Sequence, residues 1–363
     1  MKDKLQAWLC LKSAPGLRSR GILDLVQKYP DPRRYVGQAE HPLFRDESIP
    51  LETRRHLQMA VPHPRLEQIA KLCSHYGIEL LCYGETDYPT ALSNIAAPPL
   101  ILYYRGDLPS TLKQLSLAVV GTRKPTSYGR EMCAKLLAPV CQQGVAIISG
   151  LASGIDTAAH STALKNQART IAVLASGVET IYPPANKDLA ERIVQHGALV
   201  SEYEPGTKLE SWNFPARNRI ISALAPATFV VEGPMDSGAL LTAKFALEQD
   251  RDLMALPGEI NHPNAQGPNY LIKNGAQCVT TPEDILASLG LDSEVRDQLE
   301  ILPPISSDEQ KLWDLFKTEQ RELSFDELLV STGHSFGKLS TILLNLELKG
   351  YLSRTGGNTY ILG

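Results

Sequence analysis

Between Ser149 and His160 the chain reads SGLASGIDTAAH, directly after the apolar run VAIIS at 145–149. That order predicts a strand, a glycine-rich turn and the start of a helix. Gly150 and Gly154 let the backbone come close to a ligand. The new helix would aim its unpaired N–H groups and the positive end of its dipole at that ligand. Ser149 and Ser153 add hydroxyls to the same turn. The chemistry on offer is anion binding. Asp156 and His160, one helical turn apart, form the tempting acid–base pair. Asp156 reads better as a cap that accepts orphan N–H groups, and His160 as a packed, hydrogen-bonded residue.

Other loops repeat the recipe after other short apolar runs. GTRKPTSYG, from Gly121 to Gly129, puts Arg123 and Lys124 immediately after a strand. SGVETIYPPAN, from Ser176 to Asn186, offers the ring of Tyr182 as a stacking face. ESWNFPARNRIIS, from Glu210 to Ser222, brings together Trp212, Phe214, Arg217, Asn218 and Arg219. Aromatics that stack on bases, beside arginines that neutralise phosphates, suit a single-stranded nucleic acid. The same residues equally suit a partly buried aromatic loop whose arginines pair with Glu202, Glu204 or Glu210, and both readings stand. EGPMDSGALLTAKFALEQ places Ser237 and Gly238 at the head of a helix, with Thr242 and Lys244 following. PGEINHPNAQGPNYLIKNG adds Gly258, Gly267, Asn269 and Lys273.

No GxGxxG follows the first strand, and GxxxxGK[ST] and HExxH are absent from the sequence. Six scattered cysteines show neither CxxC nor zinc-type histidine spacing, so reduced, mostly buried thiols are expected. A cradle without a nucleophile, metal cluster or cofactor fingerprint reads as a binding site, with no metal and no cofactor. The net charge of −4 argues against a chain that is basic all over, while a local cationic patch remains compatible with it. The N-terminal apolar run is too short for a signal peptide, and no segment is long enough to span a bilayer. A cytoplasmic protein with no membrane partner is the expectation.

Three zones would position these loops, as 363 residues lead one to expect. Residues 1–75 carry helical periodicity at Leu5, Leu9, Leu17, Leu23 and Val26, broken at Pro15-Gly16 and around Pro30–Pro32. PGLRSRGILDLV hints at a helix-hairpin-helix turn, although Arg18 stands where its second glycine belongs. A structural helical domain is the favoured reading. Residues 79–290 alternate strands at 79–83, 115–120, 145–149, 170–174, 198–201, 227–231, 252–255 and 277–279 with helices at 129–142, 156–165, 186–195, 216–225 and 238–248. That alternation predicts right-handed βαβ units and a Rossmann-like, doubly wound parallel sheet. Ligands bind outside the carboxyl ends of such strands, where the loops above lie. A linker through Leu302-Pro303-Pro304 leads to 304–363, which reads as three helices and a hairpin about Gly356-Gly357, a winged-helix outline. Its charges are mixed and slightly acidic, with Lys338 alone early in the would-be recognition helix, so protein contact or a structural role is expected over reading DNA sequence.

With these loops in order, the chain resembles the DprA/Smf family. The resemblance rests on DYPTALSNIAAPPLILYYRG, AVVGTRKPTSYG, ISGLASGIDTAAH, VLASGVETIYPPAN, FPARNRIISALA, VVEGPMDSGALLTAKFALEQDRDLMALPG and GPNYLIKNGA, in family order from about 85 to 290. GPN at Gly267–Asn269 replaces the more usual GTN or GCN, and Glu259 and His262 make the loop before it atypical. The resemblance implies a Rossmann-like core between an N-terminal SAM- or helix-hairpin-helix-like domain and a winged helix. It implies a non-enzymatic homodimer that binds single-stranded DNA by its backbone and loads RecA during natural transformation, with single-strand binding protein as a further partner. Carried over by motif, Gly121, Arg123 and Lys124 fall in the GTR loop. Ser149, Gly150, Ser153 and Gly154 form the phosphate-contacting turn, and Phe214 is the base-contacting aromatic. Arg217, Asn218 and Arg219 are the RNR triplet, and Ser237, Gly238 and Lys244 belong to the later helix head. Two rival readings are a nucleotide-cleaving phosphoribohydrolase-like enzyme, with Glu232 or Glu259 as its acid, and a winged-helix regulator that binds duplex DNA.

Overall fold

The computed structural model describes residues 2–291, 306–319, 321–349, 351–355 and 358–362. It divides into two compact units, Met1–Gly290 and Leu291–Gly363. The expected linker at 302–304 and the hairpin glycines Gly356 and Gly357 lie outside the described residues.

The first unit is built on a nine-stranded sheet in the order β1-β2-β6-β5-β4-β3-β7-β8-β9. Its strands are β1 (Glu79–Cys82), β2 (Ile101–Gly106), β3 (Ser116–Val120), β4 (Ala146–Ser149), β5 (Thr170–Val173), β6 (Gly197–Ser201), β7 (Ala227–Val230), β8 (Asp252–Ala255) and β9 (Gln277–Cys278). From β6 through β9 every pairing is parallel, with β3 at the centre. β3, β4, β5, β6 and β7 are buried along their whole length, which is why they read as unbroken apolar runs. Phe229 in β7 is wholly buried, and its truncation to alanine would cost about 3–5 kcal/mol. One departure from the predicted all-parallel sheet is β2, which pairs antiparallel with both β1 and β6. Its sequence, ILYYRG between Pro98-Pro99 and Asp107, is apolar without alternation, and was not singled out as a strand.

The connecting helices are the short α5 (Thr90–Ser93) and α6 (Leu108–Leu112), then α7 (Ser127–Gln142), α8 (Ile155–Lys165), α9 (Lys187–His196), α10 (Asn213–Ala223), α11 (Gly238–Glu248) and α12 (Pro263–Lys273), with α13 (Pro282–Ser288) closing the unit. α7 packs on α8, α8 on α9, and α10 against α11. Because β3 through β6 run to one side and β7 through β9 to the other, the order reverses between β3 and β7. That reversal opens a crevice at the carboxyl ends of the two strands.

The N-terminal helices α1 (Lys2–Lys12), α2 (Ser19–Lys28), α3 (Leu51–Gln58) and α4 (Leu66–Tyr76) share one core with the sheet. Leu5, Trp8, Leu9 and Leu11 of α1 are buried there with Leu81 of β1 and Tyr103 of β2. Lys4 Nζ donates to Leu80 O at 2.8 Å and Lys12 Nζ pairs with Glu204 at 2.9 Å, fastening α1 to the core. The predicted hairpin is a turn through Gly16, whose φ of +82° suits glycine.

The second unit holds α14 (Ser307–Glu319), α15 (Phe325–Thr332) and α16 (Phe336–Leu348) with a small sheet of β10 (Leu323–Ser324), β11 (Leu352–Thr355) and β12 (Thr359–Leu362) in the order β10-β12-β11. Leu312, Phe316, Leu328, Leu339 and Leu346 form its core. This is the winged helix read from the sequence. Lys338, the early lysine of α16, is paired with Asp308 at 2.6 Å.

Candidate functional site

A crevice of about 780 Å³ opens where the sheet order reverses. Gly121, Thr122, Arg123 and Lys124 after β3, Ala152 and Asp156 after β4, Tyr182 after β5, Phe214, Arg217 and Asn218 of α10, and Pro234, Ser237 and Gly238 around the start of α11 line it. Loops scattered over more than a hundred residues therefore converge because each follows a strand on one edge. The predicted cradle is one wall of a larger groove.

Arg123 and Lys124 are exposed and make no ion pair among the described residues. The loop bearing them is braced underneath: Thr122 N donates to Glu232 O at 2.6 Å, and Asn264 Nδ2 donates to Lys124 O at 2.9 Å. The Arg123 guanidinium lies 4.9 Å over the ring of Phe214, and Tyr182 meets the same ring edge-on at 5.8 Å. Phe214 is half-buried and Tyr182 is 44% exposed, so cation and rings form a continuous lip. Trp212 is exposed at the head of α10 and lies outside this lining.

The glycines of the opening motif do a different job from the one expected. A Cβ on Gly150 would stand 2.4 Å from the Arg217 guanidinium. One on Gly154, whose φ is +90°, would strike Thr122 O. Both make room for the protein itself. Ser149 is fully buried and its hydroxyl donates to Val119 O at 2.6 Å, so it is structural. Gly150 N and Ala152 N both donate to Asp156 Oδ2 at 3.2 Å, which fills part of the cradle with an internal carboxylate. Asp156 thus caps the loop rather than the helix. At the head of α8, Gly154 supplies no side-chain cap, and Ser153 is exposed beside it. At that helix end Ile155 N donates to Thr122 O at 3.2 Å, so the turn after β3 already takes up part of it.

The two arginines of the RNR triplet also differ from expectation. Arg217 is 4% exposed. Its guanidinium donates to Gly150 O at 2.8 Å and to Val173 O, and its Nε donates to Asn218 Oδ1 at 3.1 Å. It ties the ends of β4 and β5 to α10, and a strand reaching it directly would have to displace those bonds. Burial lowers its pKa to about 10, against the favourable pull of Asp156, so it remains charged at neutral pH. Burial pushes Asp156 up, and Arg217 opposes that shift. Arg219 forms a two-pronged pair with Glu202 at 2.6 Å on each arm and donates to Ala97 O at 3.0 Å. This is the acid pairing left open by the sequence. Asn218 Nδ2 donates to Gly238 O at 3.2 Å, joining α10 to the head of α11, where Ser237 Oγ accepts from Ala239 N at 3.0 Å. Lys244 is exposed on α11 and pairs loosely with Glu248 at 3.7 Å.

Of the candidate acids and base, Asp156, His160 and Glu232 are engaged, while Glu259 is exposed and has no side-chain partner among the described residues. His160 is fully buried, with Nδ1 2.7 Å from Thr170 Oγ1, and Thr170 spends its own proton on Ile147 O. Burial and the nearby Arg217 charge push the imidazole down to about 3, so it is neutral. Glu232 is buried and accepts from Thr126 N at 2.9 Å and Thr126 Oγ1 at 2.5 Å. No group of three or more His, Cys, Asp or Glu among the described residues could hold a metal ion. Two residues that shape this surface, one in the groove and one buried behind the cradle turn, were not legible in the sequence. Asn264 braces the 121–126 turn, and its only signal was an asparagine in the first turn of a helix. Asn186, named only as the end of a loop, is buried and donates to Leu151 O at 2.8 Å, which holds the left-handed Leu151 in place.

Residues 79–290 match the family model described as DNA recombination-mediator protein A, and residues 300–358 match the DprA winged helix domain. The chain is 41% identical over 227 residues to the DNA processing protein DprA of Bacillus subtilis, covering 62% of this chain and 76% of that one. It is 36% identical over 316 residues to the protein Smf of a Synechocystis species, covering 78% and 79%. Among solved structures it resembles DprA of Streptococcus pneumoniae, with a TM-score of 0.64 at 33% identity over 77% of this chain and 95% of that one. It also resembles DNA processing protein A of Helicobacter pylori, solved for its mode of binding single-stranded DNA, with a TM-score of 0.55 at 31% identity over 60% and 98%. No helix among the described residues is long and apolar enough to cross a membrane. A family model spanning more than half of the chain, together with relatives a third or more identical across most of both sequences, makes this protein a member of the DprA/Smf family.

Proposed function

We propose that this protein binds single-stranded DNA in the groove at the β3–β7 reversal and passes the strand to a recombinase of the RecA type. Phosphates lie against Arg123, Lys124 and the head of α8 at Ser153 and Gly154. Gly121, Asn218, Ser237 and Gly238 shape the opposite wall, and Lys244 extends its basic edge. Phe214 and Tyr182 present rings to bases. Arg217, Arg219, Ser149 and Gly150 hold this surface in shape from behind. The observation that carries the reading is two adjacent cations with no ion pair among the described residues, Arg123 lying over the ring of Phe214, in an open groove. The Helicobacter relative, solved for single-strand binding, supports the ligand. The family's description as a recombination mediator supports the hand-over to RecA. Asp156, His160 and Glu232 are spent on protein contacts, which favours a binding protein over a hydrolase. A cytoplasmic homodimer acting in DNA uptake and transformation, with single-strand binding protein nearby, completes the proposal.

Phosphate contacts position a strand without reading it. Arg123→Ala should therefore weaken binding to dT, dC and dA strands alike, and flatten the salt slope by about 0.7–1. Fluorescence anisotropy across a salt series checks this, with duplex as the control. Equal affinity of Arg123→Ala and the parent would place the strand elsewhere. The hand-over is read from the lag before RecA becomes an active ATPase on strands coated with single-strand binding protein. The parent should shorten that lag and Arg123→Ala should not.

A further inference from the structure

The turn after β3 has two sides. Gly121–Lys124 face the groove, while Thr126, Ser127 and Tyr128 line a separate cavity of about 490 Å³ at the carboxyl ends of β7 and β8. Its size falls in the range of small-ligand sites. Val231, Leu256 and Ala265 give it an apolar floor, and the Tyr128 ring, 46% exposed, forms a flat wall. The walls are fixed in advance: Tyr128 Oη donates to Pro257 O at 3.0 Å, and Asn269 exchanges two hydrogen bonds with Gly258 at 2.9 and 3.2 Å.

No lysine or arginine lines this space, whereas the acidic residues Glu232 and Glu259 do. A phosphate is therefore repelled, and a hydrogen-bond donor is welcome. Glu232 already accepts from Thr126, but the Glu259 carboxylate is exposed and has no partner among the described residues. His262 Nδ1 accepts from Asn264 N at 3.2 Å, which leaves the proton of the neutral ring on Nε2 as a donor. The recognising set is thus a two-oxygen acceptor, one N–H donor, an aromatic wall and an apolar floor. Guanine presents the complement: N1–H and N2–H₂ donate side by side next to the O6 acceptor. Adenine offers a donor beside an acceptor, and thymine one donor between two acceptors.

We propose that this cavity is a second site, which binds a guanine base with Glu259 on its N1–N2 edge, His262 on O6 and Tyr128 against its face. The base belongs either to free guanosine or to a strand lying in the neighbouring groove. Equilibrium dialysis of the full chain against guanosine, adenosine and thymidine tests the proposal. Guanosine should be retained about tenfold or more over the others, the scale of one bidentate base contact. Glu259→Gln, at an exposed site where folding is not at risk, should erase the preference, and Arg123→Ala should keep it. A dT strand containing one dG should displace guanosine if the strand supplies the base, and fail to if the free nucleoside is the ligand. Equal retention of all three nucleosides, no retention, or a preference that survives Glu259→Gln would overturn the site. So would displacement of guanosine by an all-thymidine strand, since guanosine would then sit in the groove. Loss of guanosine retention with dT binding intact refutes this site alone, and the reverse refutes the groove alone.

Discussion

Arg123 and Arg217 border the same groove, yet they direct their charge to different ends. Arg123 stands in solvent over Phe214, while Arg217 is sealed behind Gly150 with its donors on main-chain carbonyls. Arg217→Ala would orphan those carbonyls and remove the cation that opposes the burial shift of Asp156, a loss of about 3 kcal/mol or more. Arg123→Ala should leave stability within about 0.5 kcal/mol. Denaturant unfolding separates the two, and a stable Arg217→Ala protein would show that the carbonyl network is dispensable. His160 adds a pH signature. Its folded pKa of about 3 lies below the ordinary value of 6.5, so the unfolded chain takes up the proton first as pH falls. Its contribution to stability is complete above pH 6.5 and is lost on acidification toward 3. The slope within that window is about 1.4 kcal/mol per pH unit. Unfolding free energies between pH 5 and 7 should show this slope in the parent and a shallower one in His160→Asn. An unchanged slope would mean that His160 is already protonated in the fold.

Helix α10 shows how one element serves opposite ends. Successive residues turn by about 100°, so Arg217, Asn218 and Arg219 look in different directions, while Phe214 sits one turn before Arg217 and Asn218 on the groove side. Phe214 meets the groove, Arg217 the sheet, Asn218 the head of α11 and Arg219 the Glu202 carboxylate. The sequence made clear that strands, turns and helices alternate, because fully buried strands leave unbroken apolar runs. It also made clear which loops would gather, because ligand sites follow the carboxyl ends of strands. It was less clear about the arginines, which composition alone treats as equivalent. The discriminating signal was present, since Arg217 precedes Ile220, Ile221 and Leu224 by three, four and seven residues and so falls on their buried face. Strand β2 escaped because it enters the sheet by antiparallel pairing with both β1 and β6, with only the four-residue helix Thr90–Ser93 before it, outside the strand–helix–strand alternation. The winged-helix unit yields a prediction at this scale. Lys338 is neutralised by Asp308, and Lys349 by Glu309 at 2.8 Å, so its helices present little free positive charge. A chain ending at residue 291 should bind dT strands within about threefold of the full protein, because the groove lies wholly in the first unit. A larger loss by gel shift would assign the winged helix a share of the strand.

For the molecule as a whole, the difficulty is that a chain of net charge −4 must attract a polyanion. Charges more than about 10 Å apart are largely screened at 0.1 M salt, so a local patch can act against an acidic remainder. The groove answers this need with few cations. Arg123 and Lys124 are free, Lys244 shares its charge with Glu248, and Arg217 and Arg219 are committed to the fold. Each phosphate neutralised on a single strand contributes about 0.7 to the fall of log affinity with log salt. The two groove cations together with Lys244 of α11 therefore predict a slope near −2 per bound chain, shallow beside that of proteins basic along their whole surface. The remainder of the affinity must come from stacking on Phe214 and Tyr182, which salt scarcely touches. Phe214→Ala should accordingly weaken binding by about 1–3 kcal/mol while leaving the salt slope unchanged, the reverse of the Arg123→Ala signature. Affinity measured against salt for the parent and both variants decides the matter. A parent slope steeper than about −4 would mean that a basic surface beyond this groove holds the strand.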